Sequence, residues 1–135
     1  MNATPCSNGR PLSSSPWESS ATPPSWSTAR GRRSAASAAA RLLERNGLTP
    51  ADIDLWEINE AFAGVVVASC AALGIDPERV NVNGGAVAIG HPLAASGMRL
   101  VLTLAYEMRR HGAELGVATL CGGGGQGEAL LLRAV

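Results

Sequence analysis

The sequence predicts a layered α/β domain with a mixed sheet, set behind an N-terminal tail that has no core of its own. Two observations carry this expectation. From Ser34 onward, helix-type and strand-type segments alternate and close on a hairpin, the order expected of helices packed on a sheet. From Met1 to Arg33 the chain is rich in Ser and Pro, and Leu12 is the one aliphatic residue of core type, so that stretch has too little to bury. A length of 135 residues suits one domain with a modest core. The expected division is therefore a disordered tail at 1–33, read as displaced in reading frame, and a folded domain at 34–135.

The elements follow in order. Ala-rich sequence with Leu42 and Leu43 runs to Asn46-Gly47, where a left-handed glycine can end a helix. Thr49-Pro50 places a cap before a first-turn proline, and Ile53 to Ile58 reads as a strand. Glu60 to Leu73 is nearly all apolar and stops at Gly74, which predicts a helix buried on most of its surface. Val80 to Asn83 reads as a brief strand broken by Gly84-Gly85, and a long helix is expected from about Ala95 to His111, with Val101, Leu104, Ala105 and Met108 at helical spacing. Leu115 to Leu120 reads as a buried strand, Gly122 to Gly127 as a turn and Ala129 to Leu132 as the last strand.

Composition bounds the function. A hydrophobic fraction of 46% with a net charge of +0 gives no electrostatic pull toward nucleic acid or anionic lipid. No apolar run reaches the roughly 20 residues a bilayer demands, and no secretory signal opens the chain. The expectation is a soluble, cytoplasmic protein; an organelle matrix is the alternative if the Arg-containing tail is a transit peptide, against which its prolines count. Cys6, Cys70 and Cys121 are odd in number and lack C-x-x-C spacing, so reduced thiols are expected and no metal site.

Three segments carry chemistry. Gly122, Gly124 and Gly127 match G-x-G-x-x-G, but a dinucleotide fingerprint needs a following helix and here a strand runs to the C-terminus. What the glycines offer is backbone amide donors open to a ligand, with Cys121 immediately before them. His91 lies between Gly90 and Pro92 just ahead of the long helix, a position that favours the neutral imidazole as a base or as a donor in a fixed tautomer. Asn59 stands where a strand passes into a helix, a place asparagine also takes simply as a cap. All three sit at element ends, where α/β sheets assemble sites.

Taken together, Asn59-Glu60-Ala61-Phe62, then Asn83-Gly84-Gly85-Ala86 with Gly90-His91-Pro92, then Cys121-Gly122-Gly123-Gly124-Gly125-Gln126-Gly127 resemble the thiolase family, over roughly Ala38 to Val135 and close to a complete thiolase C-terminal domain. The resemblance implies an acyltransferase acting on coenzyme A thioesters as substrates, with no bound cofactor: thiolysis of 3-ketoacyl-coenzyme A or condensation of acetyl-coenzyme A. It implies that His91 activates a nucleophilic cysteine and joins an oxyanion hole, that Asn59 holds a water completing that hole, that Cys121 exchanges a proton with substrate, and that the Gly123 amide serves a second hole.

That nucleophilic cysteine belongs to the family's N-terminal half; Cys6 and Cys70 do not lie in sequence resembling its surroundings. The chain is therefore expected to be inactive alone. Ala94 replaces the family's usual glycine after His91-Pro92-Leu93. The resemblance further implies a homo-oligomer in the intact family, or pairing with a separate N-terminal half. A non-catalytic interaction module is the alternative from another class, and a Cys121–His91 hydrolase the third, without an evident orienting residue.

Overall fold

A computed structural model describes residues 35–135, so the expectation for the tail lies outside the described residues. We label the elements α1 (Ala35–Asn46), β1 (Leu55–Ile58), α2 (Ala63–Leu73), the single turn α3 (Ala86–Ile89), α4 (Ser96–His111), β2 (Leu115–Gly122) and β3 (Gln126–Arg133). Three-residue 3-10 turns stand at Pro50–Asp52, Pro77–Arg79 and Gly123–Gly125.

The sheet has the order β1-β2-β3 and is mixed as expected. β1 runs parallel to β2, with Leu55 opposite Gly116 and Ile58 opposite Thr119. β2 and β3 form the antiparallel hairpin, from Leu115 opposite Arg133 to Gly122 opposite Gln126. Parallel strands need a crossover, and α2, α3 and α4 supply it. Because β1 and β2 point the same way, Asn59 and Cys121 come to the same edge of the sheet.

Each face carries its own core. Ala35, Ala39 and Leu43 of α1 and Cys70 of α2 pack with Trp56, Ile58 and Val117 on one side. On the other side Leu100, Leu104 and Met108 of α4 meet Ala113 and Ala118. The four-residue spacing of the α4 trio places it on one stripe; Leu104 and Met108 were expected there, Leu100 joins them, and Val101 lies at the margin. Gly116 on β2 lets this helix approach closely: a Cβ there would stand 2.6 Å from Met108 Sδ.

Four expectations are corrected. β1 begins at Leu55, because Ile53 caps the Pro50–Asp52 turn, although it is fully buried. Val80–Asn83 is no strand: Val80 makes one bridge to Trp56, and Asn81 at φ 48° turns the chain away. α2 starts at Ala63 and buries only Ser69 and Cys70; Val67 is 70% exposed. An all-apolar helix is buried when layers cover both sides, and among the described residues only one side of α2 is packed. β2 and β3 both run further than expected, into Gly122 and Gln126, because the antiparallel ladder supplies partners to residues of low strand propensity.

Candidate active site

Asn59 follows the last residue of β1 and extends the ladder, its N–H donating to Thr119 O at 2.9 Å. It is completely buried. Strand alternation turns Leu55, Glu57 and Asn59 toward α4, and there the side chain meets His91: Asn59 Nδ2 lies 3.3 Å from His91 Nε2. The Oδ1 of Asn59 has no partner among the described residues. His91 is half-buried, and its other ring nitrogen, Nδ1, lies 2.5 Å from Ser96 Oγ. The Ser96 hydroxyl is also 3.0 Å from Pro92 O. The imidazole is thus gripped at both nitrogens.

The segment that delivers His91 is braced from beneath. Asn81 accepts from Ile58 N at 2.8 Å through Oδ1, and its Nδ2 donates to Ile58 O and to Glu60 Oε1, both at 2.9 Å. Glu60 Oε2 accepts from Val87 N at 2.8 Å. Its carboxylate lies over Gly85, where a Cβ would come within 2.6 Å of Glu60 Cδ. The glycine is required by this close approach. Gly90, at φ 92°, then reverses the chain into His91.

Cys121 and Gly123 stand differently. Cys121 is half-buried at the end of β2, packed toward the α1 and α2 cluster, so its side chain starts on the sheet face opposite Asn59. Gly123 is exposed in the turn that follows. The structure thus joins Asn59 to His91 and sets Cys121 and Gly123 at the same strand edge without a hydrogen bond to that pair among the described residues. A ligand reaching all four must cross the carboxyl edge of the sheet, the usual position for ligands in α/β sheets.

Two acidic side chains lie deeper. Glu57 is 2% exposed and pairs with Arg99 at 2.9 Å; burial pushes its carboxyl up to about 7, with Arg99 opposing. Glu107 accepts from Asn83 Nδ2 at 2.7 Å and pairs with His111 and Arg110. The Asn83 hydrogen bond chiefly holds Glu107 below the usual carboxylate range. Cys70 and Cys121 are both free, and burial raises the Cys70 thiol. No cluster of three or more His, Cys, Asp or Glu suited to a metal occurs among the described residues, and no helix there is long and apolar enough to cross a membrane.

Sequence reasoning missed Ser96, Glu60 and Asn81 as parts of this site. A serine five residues after His91, at the start of a helix, was the available signal for the first.

An amide–imidazole pair at the carboxyl edge of a mixed sheet, between a glycine loop and a glycine-rich hairpin, defines a layered α/β domain of the kind that binds at strand ends. Comparison with known proteins makes the assignment specific. The family model described as Thiolase, C-terminal domain matches residues 17–134, and the chain belongs to the thiolase family through that domain. It is 56% identical over 100 residues to a probable acetyl-CoA acetyltransferase of Mycobacterium leprae, covering 74% of this chain and 25% of that protein. It is likewise 56% identical over 96 residues to an acetyl-CoA acetyltransferase of Allochromatium vinosum, covering 71% and 24%. Among solved structures, the Acat5 thiolase from Ascaris suum in complex with coenzyme A superposes with a TM-score of 0.71 at 47% identity, over 76% of this chain and 26% of that one. The chain spans about a quarter of the length of the curated relatives it matches.

Proposed function

We propose that this chain supplies the acid–base and oxyanion-binding part of a thiolase-type acyltransferase acting on coenzyme A thioesters, by thiolysis of 3-ketoacyl-coenzyme A or condensation of acetyl-coenzyme A. The contact of Asn59 with His91 is the observation that supports it. Carbon–carbon bond chemistry beside a thioester passes through an enolate, whose oxygen needs preorganised donors. On this reading His91 Nε2 takes the proton of a nucleophilic thiol and, once protonated, donates to the oxyanion. The unpartnered, buried Asn59 Oδ1 suits a water that provides the second donor. Cys121 exchanges the proton of the substrate α-carbon or leaving thiol, and the Gly123 amide serves the second thioester oxygen.

The acyl group itself requires a further cysteine, because Cys70 is buried in α2 and Cys121 cannot carry the acyl group while serving as acid and base. A separately supplied N-terminal half would contribute it. Exposed Phe62, Leu93 and Met98 beside the site suit such a partner, and favour as second reading a module that only docks. Two assays separate these: mass spectrometry of the purified chain after acetyl-coenzyme A, and thiolysis of acetoacetyl-coenzyme A with and without an added thiolase N-terminal half. We expect no acyl-enzyme from the chain alone, turnover on addition, and loss of that turnover in His91→Ala. Thiolase-level turnover by the chain alone would overturn the division of labour; docking without turnover would leave only the module.

A further inference from the structure

We propose that Ser96 is a positioning residue that fixes His91 as the Nδ1–H tautomer, leaving Nε2 bare to take a proton. The tautomer rests on hydrogen-bond geometry alone; its use as a base rests on the function proposed above. Ser96 opens α4 and is 2% exposed. A hydroxyl has one proton to give, and the Ser96 Oγ stands 3.0 Å from Pro92 O, which can only accept. With that proton so directed, the 2.5 Å contact to His91 Nδ1 requires the ring nitrogen to be the donor. Nε2 of the neutral ring then carries a lone pair, and Asn59 Nδ2 points at it from 3.3 Å. Each of these three donors has an acceptor.

The opposite arrangement, Ser96 donating to Nδ1 and Nε2–H facing the site, puts the Asn59 amide and the ring N–H donor against donor. Turning the carboxamide removes that clash but buries the amide N–H groups without partners, which is costlier than an underused carbonyl oxygen. The neutral ring therefore accepts at Nε2. When a thiol S–H transfers its proton there, the products are a thiolate and an imidazolium whose Nδ1–H still binds Ser96 and whose new Nε2–H is the oxyanion donor, the Asn59 amide giving up this nitrogen as its acceptor. One nitrogen thus serves in sequence as base and as donor, with Ser96 holding the ring in place throughout.

The test needs no turnover. The full chain contains two histidines, so nitrogen-15 labelled histidine gives two ring systems in a long-range proton–nitrogen correlation spectrum, recorded at alkaline pH. His111, bonded to Glu107, is the internal reference. We expect His91 to show a protonated Nδ1 and a bare Nε2. In Ser96→Ala the Nδ1–H to Nε2–H ratio should fall by about tenfold, the weight of one good hydrogen bond, while the His111 signals and the circular dichroism stay unchanged. A wild-type His91 that is predominantly Nε2–H overturns the proposal, as does an unaltered ratio in Ser96→Ala. Absence of turnover with the added half would sink the thiolase reading while leaving this tautomer measurement standing, so the two failures are distinguishable.

Discussion

Replacing Asn81 tests the brace beneath the site. Its side chain accepts from Ile58 N and donates to Ile58 O and Glu60, so it stands in for a neighbouring strand at the last residue of β1. Asn81→Ala leaves the two buried Ile58 groups unpaired, at about 1–3 kcal/mol each. Alanine must also hold the left-handed φ of 48°, which costs a residue with a Cβ about 1–2 kcal/mol. We expect a loss of about 4 kcal/mol, within the 5–15 kcal/mol or so that a domain possesses. Asn81→Gly loses the same hydrogen bonds without the left-handed penalty and should be less damaging by about 1 kcal/mol. Urea unfolding at pH 7, followed by far-ultraviolet circular dichroism, measures both. An alanine variant within about 0.5 kcal/mol of wild type, the range of ordinary surface changes, would refute the account of Asn81 as a strand surrogate. Equal losses in the two variants would refute the strain component.

Two further outcomes follow from the buried faces of the sheet. Glu57 holds its proton up to about 7 in the fold, against an ordinary value of 4.5, so the folded state binds more protons than the unfolded one across that window; the Glu57-dependent stability is full below about pH 4.5 and falls by ~3 kcal/mol as pH rises to 7. Urea midpoints across this range should show the decline in wild type and a flatter profile in Glu57→Gln. Gly116→Ala drives a Cβ to 2.6 Å from Met108 Sδ and 3.0 Å from Leu104 Cδ1, an overpacking worth about 1–3 kcal/mol. Added to Met108→Ala, it should cost less than it does alone, because the thioether no longer meets the new methyl; strictly additive losses would contradict the contact.

Much of this arrangement was legible from residue patterns. α1 followed from Ala-rich sequence and α4 from apolar residues at helical spacing, each with a terminal glycine, because these signals are local. The mixed sheet followed from element order. The misread strand at Val80–Asn83 failed because one left-handed asparagine redirects the chain, and asparagine in an apolar context carries no unambiguous mark of that conformation. For α2, uniform apolarity says nothing about which side is covered. The Asn59–His91 pair was accessible through motif spacing. Ser96 was marked only by its place five residues after His91, a weak signal because a serine near a helix start reads equally well as a cap. The face on which Cys121 begins depends on counting alternation from the core residue Val117, which requires knowing the register first.

The outer margin of β1 has a consequence for how copies of the chain meet. Arg79 donates to Asp54 O and Ile53 O, Asn81 N–H takes Trp56 O at 2.9 Å, and the Asn81 carboxamide occupies both Ile58 groups. A second strand approaching that margin would find hydrogen-bonding positions already taken by a segment that is not itself a strand and so offers no ladder of its own. Such a stopper guards against the edge-to-edge polymerisation that open sheets invite. It does so with a loop whose other end delivers the Gly84-Gly85 turn, so loosening this margin would unsettle His91 and uncover an adhesive edge in the same step.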